Sequence, residues 1–167
     1  ADAHGFPHAI VGYADLRDPS VADLLRAEQA AAPFLRGVRQ QLHWHENPLY
    51  RFADTPDVAD DADFRRGMAA VADAGLLFEL QVLAPQRAGA ARLAGDFADV
   101  PFVLMHCGMP EDRSPDGLAQ WRGGMQALAD CPNVAVKLSG LGTFVHRVDR
   151  DLIAATTHET IGWFGAE

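Results

Sequence analysis

Residues 102–110 read Phe-Val-Leu-Met-His-Cys-Gly-Met-Pro, and this stretch decides the fold class. Four apolar residues precede His106, and Gly108 and Pro110 interrupt the chain directly after it. A short apolar run bounded by turn residues is typical of a strand buried on both faces, as in parallel sheets. His106 then lies at the carboxyl end of the strand, where barrels and other α/β proteins collect their catalytic groups. By position alone, His106 either binds a metal or moves a proton, or it is a core histidine satisfied by a hydrogen bond.

The chain on either side of this stretch alternates strand-like and helix-like segments. The strand candidates are residues 8–16, 37–42, 76–83, 102–106 and 134–140, and the helix candidates are residues 18–31, 64–74, 85–97, 117–129 and 149–164. This alternation predicts parallel strands joined by right-handed crossovers. An open doubly wound sheet and a (β/α) barrel both fit that pattern. The dinucleotide-binding form of the open sheet has no support, because no Gly-x-Gly-x-x-Gly follows the first strand candidate.

Composition narrows the class of protein and of partner. The 167 residues are 49% hydrophobic, which predicts one folded domain over residues 1–167. A formal net charge of -9 disfavours nucleic acid and anionic membranes as partners, and no apolar run approaches the ~20 residues of a membrane helix. The two cysteines, Cys107 and Cys131, are too few for a disulfide framework, so we expect a reducing, cytoplasmic location.

Polar side chains recur near the same end of four successive strand candidates. They are Arg39, Gln41, His43 and His45 at the second strand, Glu79 and Gln81 on the third, His106 on the fourth, and Lys137 and Ser139 on the fifth. Residues two apart share a face of an extended chain, so each set points to one side. Because burying an unpaired charge is costly, this convergence predicts a pocket at one rim of the sheet.

Four segments together resemble the amidohydrolase-2 family of metal-dependent TIM-barrel hydrolases. They are residues 37–45 (GVRQQLHWH), 78–82 (FELQV), 103–110 (VLMHCGMP) and 136–141 (VKLSGL). The family includes sugar-acid lactonases, the pyrone dicarboxylate lactonase and related decarboxylases. The resemblance covers almost the whole chain and implies a (β/α)8 TIM barrel, with about five of its strand–helix units in this chain.

The resemblance also implies that parts of the barrel lie outside residues 1–167. The family begins with a strand ending in His-x-His, which supplies two metal ligands, and ends with a Gly-Ser-Asp or Gly-Ser-Asn turn. Neither segment is present at the corresponding place in the sequence. We therefore expect the interior of a barrel without its first and last strand units, and a general base that lies beyond Glu167.

The resemblance implies roles for six residues. His106 is the candidate catalytic group and the candidate ligand of one divalent ion, zinc or manganese, although a metal-independent site stays open. The candidates for substrate binding are Arg39, His43, His45, Gln81 and Lys137. Arg39 either grips a substrate carboxylate or lactone oxygen, or is a buried arginine paired with Glu79 or a neighbouring acid. Lys137 either neutralises developing charge or belongs to a structural ion pair. His43 and His45 could also ligate a metal or belong to an ordinary loop.

The function implied is a hydrolase that opens a lactone or related cyclic ester of a sugar acid or dicarboxylate. The alternatives are a decarboxylase of the same superfamily and a catalytically inactive fragment that only binds a small acid. The expected partner is a small-molecule carboxylate or lactone, and a homo-oligomer stays open. No supporting pattern accompanies His4, His8, His146 and His158. The aromatic residues Trp44, Tyr50 and Trp121 either line a pocket or pack, and packing is the more frequent case at such spacing. Cys107 lacks a partner base and is interpreted as a small packed residue.

Overall fold

A computed structural model describes residues 5–143 and 146–166 of the chain. Within these ranges five strands alternate with five α-helices: β1 Ile10–Tyr13, α1 Val21–Ala31, β2 Leu35–Gln41, α2 Ala62–Asp73, β3 Leu77–Gln81, α3 Arg87–Asp96, β4 Phe102–Leu104, α4 Pro115–Ala129, β5 Val134–Val136 and α5 Arg150–Phe164. Short 3-10 turns cover Pro48–Tyr50, Val58–Asp60, Ala84–Gln86 and His106–Gly108. No helix in the described ranges is both long enough and apolar enough to cross a membrane.

The strands form one parallel sheet in the order β1-β2-β3-β4-β5. Neighbouring helices pack on one another, α1 on α2, α3 on α4 and α4 on α5. A doubly wound sheet reverses its strand order at a switch point, whereas sequential order is typical of a barrel. The five strand–helix units therefore form part of a (β/α) barrel, which confirms the predicted fold class.

The helix-facing side of the sheet is the hydrophobic core. Val38, Phe78 and Phe102 project there from three strands and are almost completely buried. Phe64 of α2 extends this layer, because its ring centroid lies 6.0 Å from that of Phe78, which in turn lies 6.1 Å from that of Phe102. Such edge-to-face aromatic contacts add to the stabilisation that burial itself provides.

The opposite side of the sheet, called the inner face below, is polar. One row across it follows the strand register from Tyr13 to Arg39, Glu79, Val103 and Ala135. The next row along β2 and β3 pairs Gln41 with Gln81. Since the strands are parallel, these rows lead towards a single rim at the carboxyl ends of the strands.

All five predicted strands end earlier at this rim than expected, and the difference matters most for β4 and β5. β4 ends at Leu104 rather than at His106, and β5 ends at Val136 rather than at Gly140. His106 has φ 57° and Gly140 has φ 67°, and a left-handed backbone cannot continue a strand. Helix α4 begins before the predicted residue 117, because the Ser114 hydroxyl accepts the backbone N–H of Gly117 at 3.1 Å and caps the helix.

Candidate active site

A left-handed turn follows β4 and carries His106. Four consecutive residues, His106 to Met109, have φ between 49° and 65°, and only Gly108 among them is a glycine. Each residue with a Cβ in this conformation costs about 1–2 kcal/mol. The contacts around residues 106–109, called the 106–109 turn below, must outweigh that strain. Strained backbone of this kind is common at functional sites.

The imidazole of His106 is held by the segment after β5. Its Nδ1 lies 2.8 Å from the Ser139 hydroxyl oxygen, so Nε2 is the ring nitrogen that this contact does not engage. Gly140 packs directly against the ring, because a Cβ at this position would lie 2.6 Å from the His106 Cγ. Residue 140 must therefore be a glycine both for its positive φ and for the space that the ring occupies.

His106 borders a cavity of about 440 Å³ at the carboxyl ends of the strands. This volume lies within the usual range of small-molecule sites. One part of the lining is polar and the other is apolar or aromatic. The polar part consists of His43, Gln81, His106, Gly140, Thr143 and His146, and the other part of Leu49, Tyr50, Phe52 and Met109.

A charged cluster lies on the inner face next to this cavity. The Glu79 carboxylate, with only 2% of its side chain exposed, accepts hydrogen bonds from Arg39 and Lys137. Burial raises the pKa of Glu79, but these hydrogen bonds and the two positive charges together hold it below its ordinary value. The cluster therefore carries one net positive charge, and Arg39 and Lys137 both form ion pairs with Glu79.

This surplus positive charge acts on His106. Burial lowers the pKa of His106 most, the charges of Arg39 and Lys137 lower it further, and Glu79 opposes them. His43 responds to burial alone, which lowers its pKa to about 4. Both imidazoles are therefore neutral at pH 7. In the described part of the chain, the buried Nδ1 of His43 has no hydrogen-bond partner, while its ring packs on Phe52 with centroids 4.8 Å apart.

Three of the six predicted site residues line the cavity, and three do not. His43, Gln81 and His106 lie together in its wall. Arg39 and Lys137 instead pair with Glu79 on the inner face. His45 lies aside, with its Nδ1 accepting the backbone N–H of Asn47 at 2.8 Å and its ring against Tyr50. The expected one-sided run from Arg39 to His45 fails beyond Gln41, because β2 ends there.

The cavity also contains residues that the sequence did not single out. His146 and Thr143 reach it from the chain that follows β5, a placement that no local motif signals. Tyr50, for which a pocket and packing were both open, lines the cavity. Trp121 instead donates its indole N–H to the Cys107 carbonyl at 2.8 Å. His8 and His158 are exposed elsewhere, and His4 lies outside the described residues.

The described residues do not form a metal site on their own. No group of three or more His, Cys, Asp or Glu side chains within these ranges could hold a metal ion. Zinc sites draw on at least three protein ligands, and this cavity brings together His43, His106 and His146 without such a grouping. The proposed role of His106 as a metal ligand would need ligands from elsewhere, and no chemical step below passes through a metal.

The sequential parallel strand order and a cavity at the carboxyl ends of the strands are typical of a (β/α) barrel, a fold that builds its sites at that rim. The model of the Amidohydro_2 family, Amidohydrolase, matches residues 1–167. The chain belongs to this amidohydrolase family, as the resemblance of its four segments implied.

Two curated relatives resemble the chain in sequence. "Uncharacterized protein y4mH" of Sinorhizobium fredii is 40% identical over 167 residues, which is 100% of this chain and 56% of that protein. An L-fucono-1,5-lactonase of Burkholderia multivorans is 34% identical over 139 residues, 81% of this chain and 44% of that enzyme. The chain thus spans about half the length of the curated relatives that it matches.

A solved structure shows the same architecture. The crystal structure of an amidohydrolase from Burkholderia multivorans with bound zinc superimposes with a TM-score of 0.80 at 28% sequence identity. The superposition covers 98% of this chain and 57% of that one. The five strand–helix units therefore correspond to part of an amidohydrolase barrel.

Proposed function

We propose that the protein is a hydrolase that opens a lactone or related cyclic ester of a sugar acid or dicarboxylate. Membership of the amidohydrolase family supports the hydrolase class. The similarity to an L-fucono-1,5-lactonase supports a lactone as the substrate. The single observation that carries the proposal is His106, held through Nδ1 by the Ser139 hydroxyl, in the wall of a cavity of about 440 Å³ at the carboxyl ends of the strands.

In this proposal His106 stabilises the charge that develops during hydrolysis. Water attacks the ring carbonyl carbon while a general base takes one of its protons, and the carbonyl oxygen becomes an oxyanion. The carbonyl then re-forms as the bond from carbon to the ring oxygen breaks, and the ring oxygen receives the proton that the base took. If the Ser139 hydroxyl donates its proton to His106 Nδ1, Nε2 carries the hydrogen and donates it to the oxyanion. A neutral imidazole can make this hydrogen bond without transferring a proton.

The charged cluster serves the same oxyanion from a distance. Arg39 and Lys137 together outnumber Glu79 by one charge, so the inner face presents positive potential beneath His106. Such potential favours a substrate or transition state with negative charge. In this proposal Arg39 and Lys137 do not line the cavity, and they act on the substrate through their charge.

The remaining lining suits an amphipathic ring. Gln81 presents an amide whose Nε2 lies 3.6 Å from the Met109 sulfur, and this weak contact leaves the amide available to substrate hydroxyls. Leu49, Phe52 and Met109 contribute apolar groups to the same lining. A sugar lactone has both hydroxyl groups and an apolar C–H face, so its chemistry matches both parts of the lining.

The test uses the full-length protein and a panel of aldono-1,5- and aldono-1,4-lactones, with L-fucono-1,5-lactone among them. Ring opening releases an acid, which a pH indicator follows continuously. We expect saturable hydrolysis of at least one lactone, reduced about 100-fold or more in kcat by His106→Gln. His158→Gln is the matched control, because His158 is an exposed histidine on α5.

Two results would contradict the proposal. Hydrolysis that survives His106→Gln unchanged would remove His106 from the chemistry. Release of carbon dioxide from carboxylate substrates, without lactone opening, would identify the decarboxylase alternative.

A further inference from the structure

We propose that Arg87 is a positioning residue for this reaction, holding the 106–109 turn through the Gly108 carbonyl and so keeping His106 aimed into the cavity. Arg87 begins α3 and is not among the residues that line the cavity. The catalytic part of this inference rests on the proposed function, whereas the structural part, that Arg87 holds the turn, stands independently of it.

Arg87 is a completely buried charge with poor compensation. Its side chain is fully enclosed, and its guanidinium donates to the Gly108 carbonyl and, at 3.5 Å, to the Trp121 carbonyl. Within the described ranges its Nε has no hydrogen-bond partner, and Glu111 acts on it only through charge at a distance. A buried ion without a close counterion normally opposes folding, and an apolar side chain of equal volume is often more stable.

The group that Arg87 holds explains why a charge is useful here. The carbonyls of Cys107 and Gly108 are consecutive, and they accept hydrogen bonds from the Trp121 indole and from Arg87 respectively. The backbone N–H of Cys107 donates to the Lys137 carbonyl at 2.9 Å. Charged donors make stronger hydrogen bonds than neutral ones, so Arg87 supplies the strongest single tie on a strained turn.

Helix α4 leaves space for the Arg87 side chain at one glycine. A Cβ on Gly124 would lie 2.6 Å from the Arg87 Cδ, whereas a Cβ on the neighbouring Gly123 would meet nothing within 4 Å. Both glycines lie within α4, where alanine is the better helix former. Alanine at position 124 therefore presses on Arg87 without removing its charge, and alanine at position 123 does not.

The first experiment replaces Arg87 in the full-length protein by Met, which has similar length and no charge. Hydrogen exchange of peptides covering residues 105–110 reports the turn, because the amides of Cys107, Gly108 and Met109 are all hydrogen-bonded there. We expect exchange about tenfold faster in Arg87→Met, with a thermal midpoint equal to or above that of the wild type. On the best lactone we expect kcat to fall about tenfold or more while KM changes about twofold or less.

The second experiment compares Gly124→Ala with Gly123→Ala. We expect Gly124→Ala to accelerate exchange in residues 105–110 and to lower kcat, and Gly123→Ala to change neither. Arg87→Lys, which keeps a buried charge and one donor, should recover part of the kcat that Arg87→Met loses. These variants keep the inference testable if Arg87→Met does not fold.

The outcomes separate this inference from the proposed function. If the wild type opens no lactone, the proposed function fails, while the exchange data still decide whether Arg87 holds the turn. Unchanged exchange in Arg87→Met and Gly124→Ala overturns the inference. A variant with faster exchange in the turn but full kcat would also overturn it. So would a variant that is less stable to heat but whose folded molecules keep full kcat, because Arg87 would then act in packing alone.

Discussion

The two faces of strand β3 differ sharply in polarity. Phe78 and Leu80 point towards the helices and are completely buried among apolar side chains. Glu79 and Gln81, the residues between and after them, lie on the inner face with the charged cluster and the cavity. Adjacent residues of this one strand thus face an apolar core on one side and a charged site on the other.

The separation shows how one short strand serves stability and chemistry independently. Burial on the helix-facing side supplies free energy of folding through the hydrophobic effect. The inner face lowers that stability, because Glu79 is buried as an anion and the neighbouring 106–109 turn is strained. Substitutions on the two faces should therefore have different signatures, in stability on one side and in activity on the other.

The largest expected effect is on the helix-facing side. Phe78→Ala should lower the free energy of unfolding by about 3–5 kcal/mol, because it opens a cavity between Phe64 and Phe102. Urea unfolding of the full-length protein measures this loss. Leu24→Ala, at a position of α1 that is 41% exposed, is the control and should change stability by about 1 kcal/mol or less. A similar loss at both positions would contradict the description of this face as the core.

Gly140→Ala should act on the site rather than on the core. The added methyl group would displace the His106 ring, and a displacement of this size lowers kcat about 10- to 100-fold. Steady-state kinetics on a hydrolysed lactone measures the effect. Gly75→Ala provides a matched control, because Gly75 has φ 64° and nothing within 4 Å of its added Cβ. Equal losses of kcat in the two variants would attribute the effect to backbone strain alone.

Glu79→Gln tests the inner face with almost no change of shape. The variant removes the anion and leaves Arg39 and Lys137 without their counterion, so we expect a loss of about 1–2 kcal/mol in stability. The partial exposure of the partners, 34% for Arg39 and 45% for Lys137, keeps the loss below that of a fully buried pair. Urea unfolding near neutral pH measures it. A variant as stable as the wild type would show that the cluster contributes nothing to folding.

The smallest expected effect is the pH dependence of the difference in stability between the wild type and Glu79→Gln. Because the pKa of Glu79 in the folded protein is lower than its ordinary value of 4.5, its contribution is fully present above that value. The contribution is lost as the pH falls below 4.5 through the folded-state pKa. The stability gap between wild type and Glu79→Gln should therefore narrow on acidification from about pH 6 to about pH 3. A gap that widens would mean that folding raises the pKa of Glu79.

The strand order and the position of the core could be predicted because they follow from local patterns. Alternating strand and helix segments specified the parallel sheet, and Phe78 and Phe102 lie in apolar runs that identify buried strands. The family segments then favoured the barrel over the open sheet. His106, His43 and Gln81 were found because each lies at or just beyond a strand end, where the rim of a barrel collects side chains.

The remaining parts of the site depend on contacts that sequence patterns do not encode. His146 enters the cavity through the course of the chain after β5, and His45 leaves it because β2 ends at Gln41. The left-handed conformation of His106 and Cys107 is imposed by neighbours distant in sequence, among them Trp121 and Lys137. Residues with a Cβ, such as histidine and cysteine, rarely adopt a positive φ. The conformation therefore could not be predicted from the sequence and becomes visible only in the folded structure.

The alternation along Leu77–Gln81 also limits how this protein can evolve. Insertion or deletion of one residue within the strand would exchange its two faces, placing Glu79 among the phenylalanines and Phe78 in the charged cluster. Natural variation in this strand must therefore proceed by substitution. The segment between β2 and α2 has no such constraint of register, so changes of length, and with them changes of substrate preference, are expected to accumulate there.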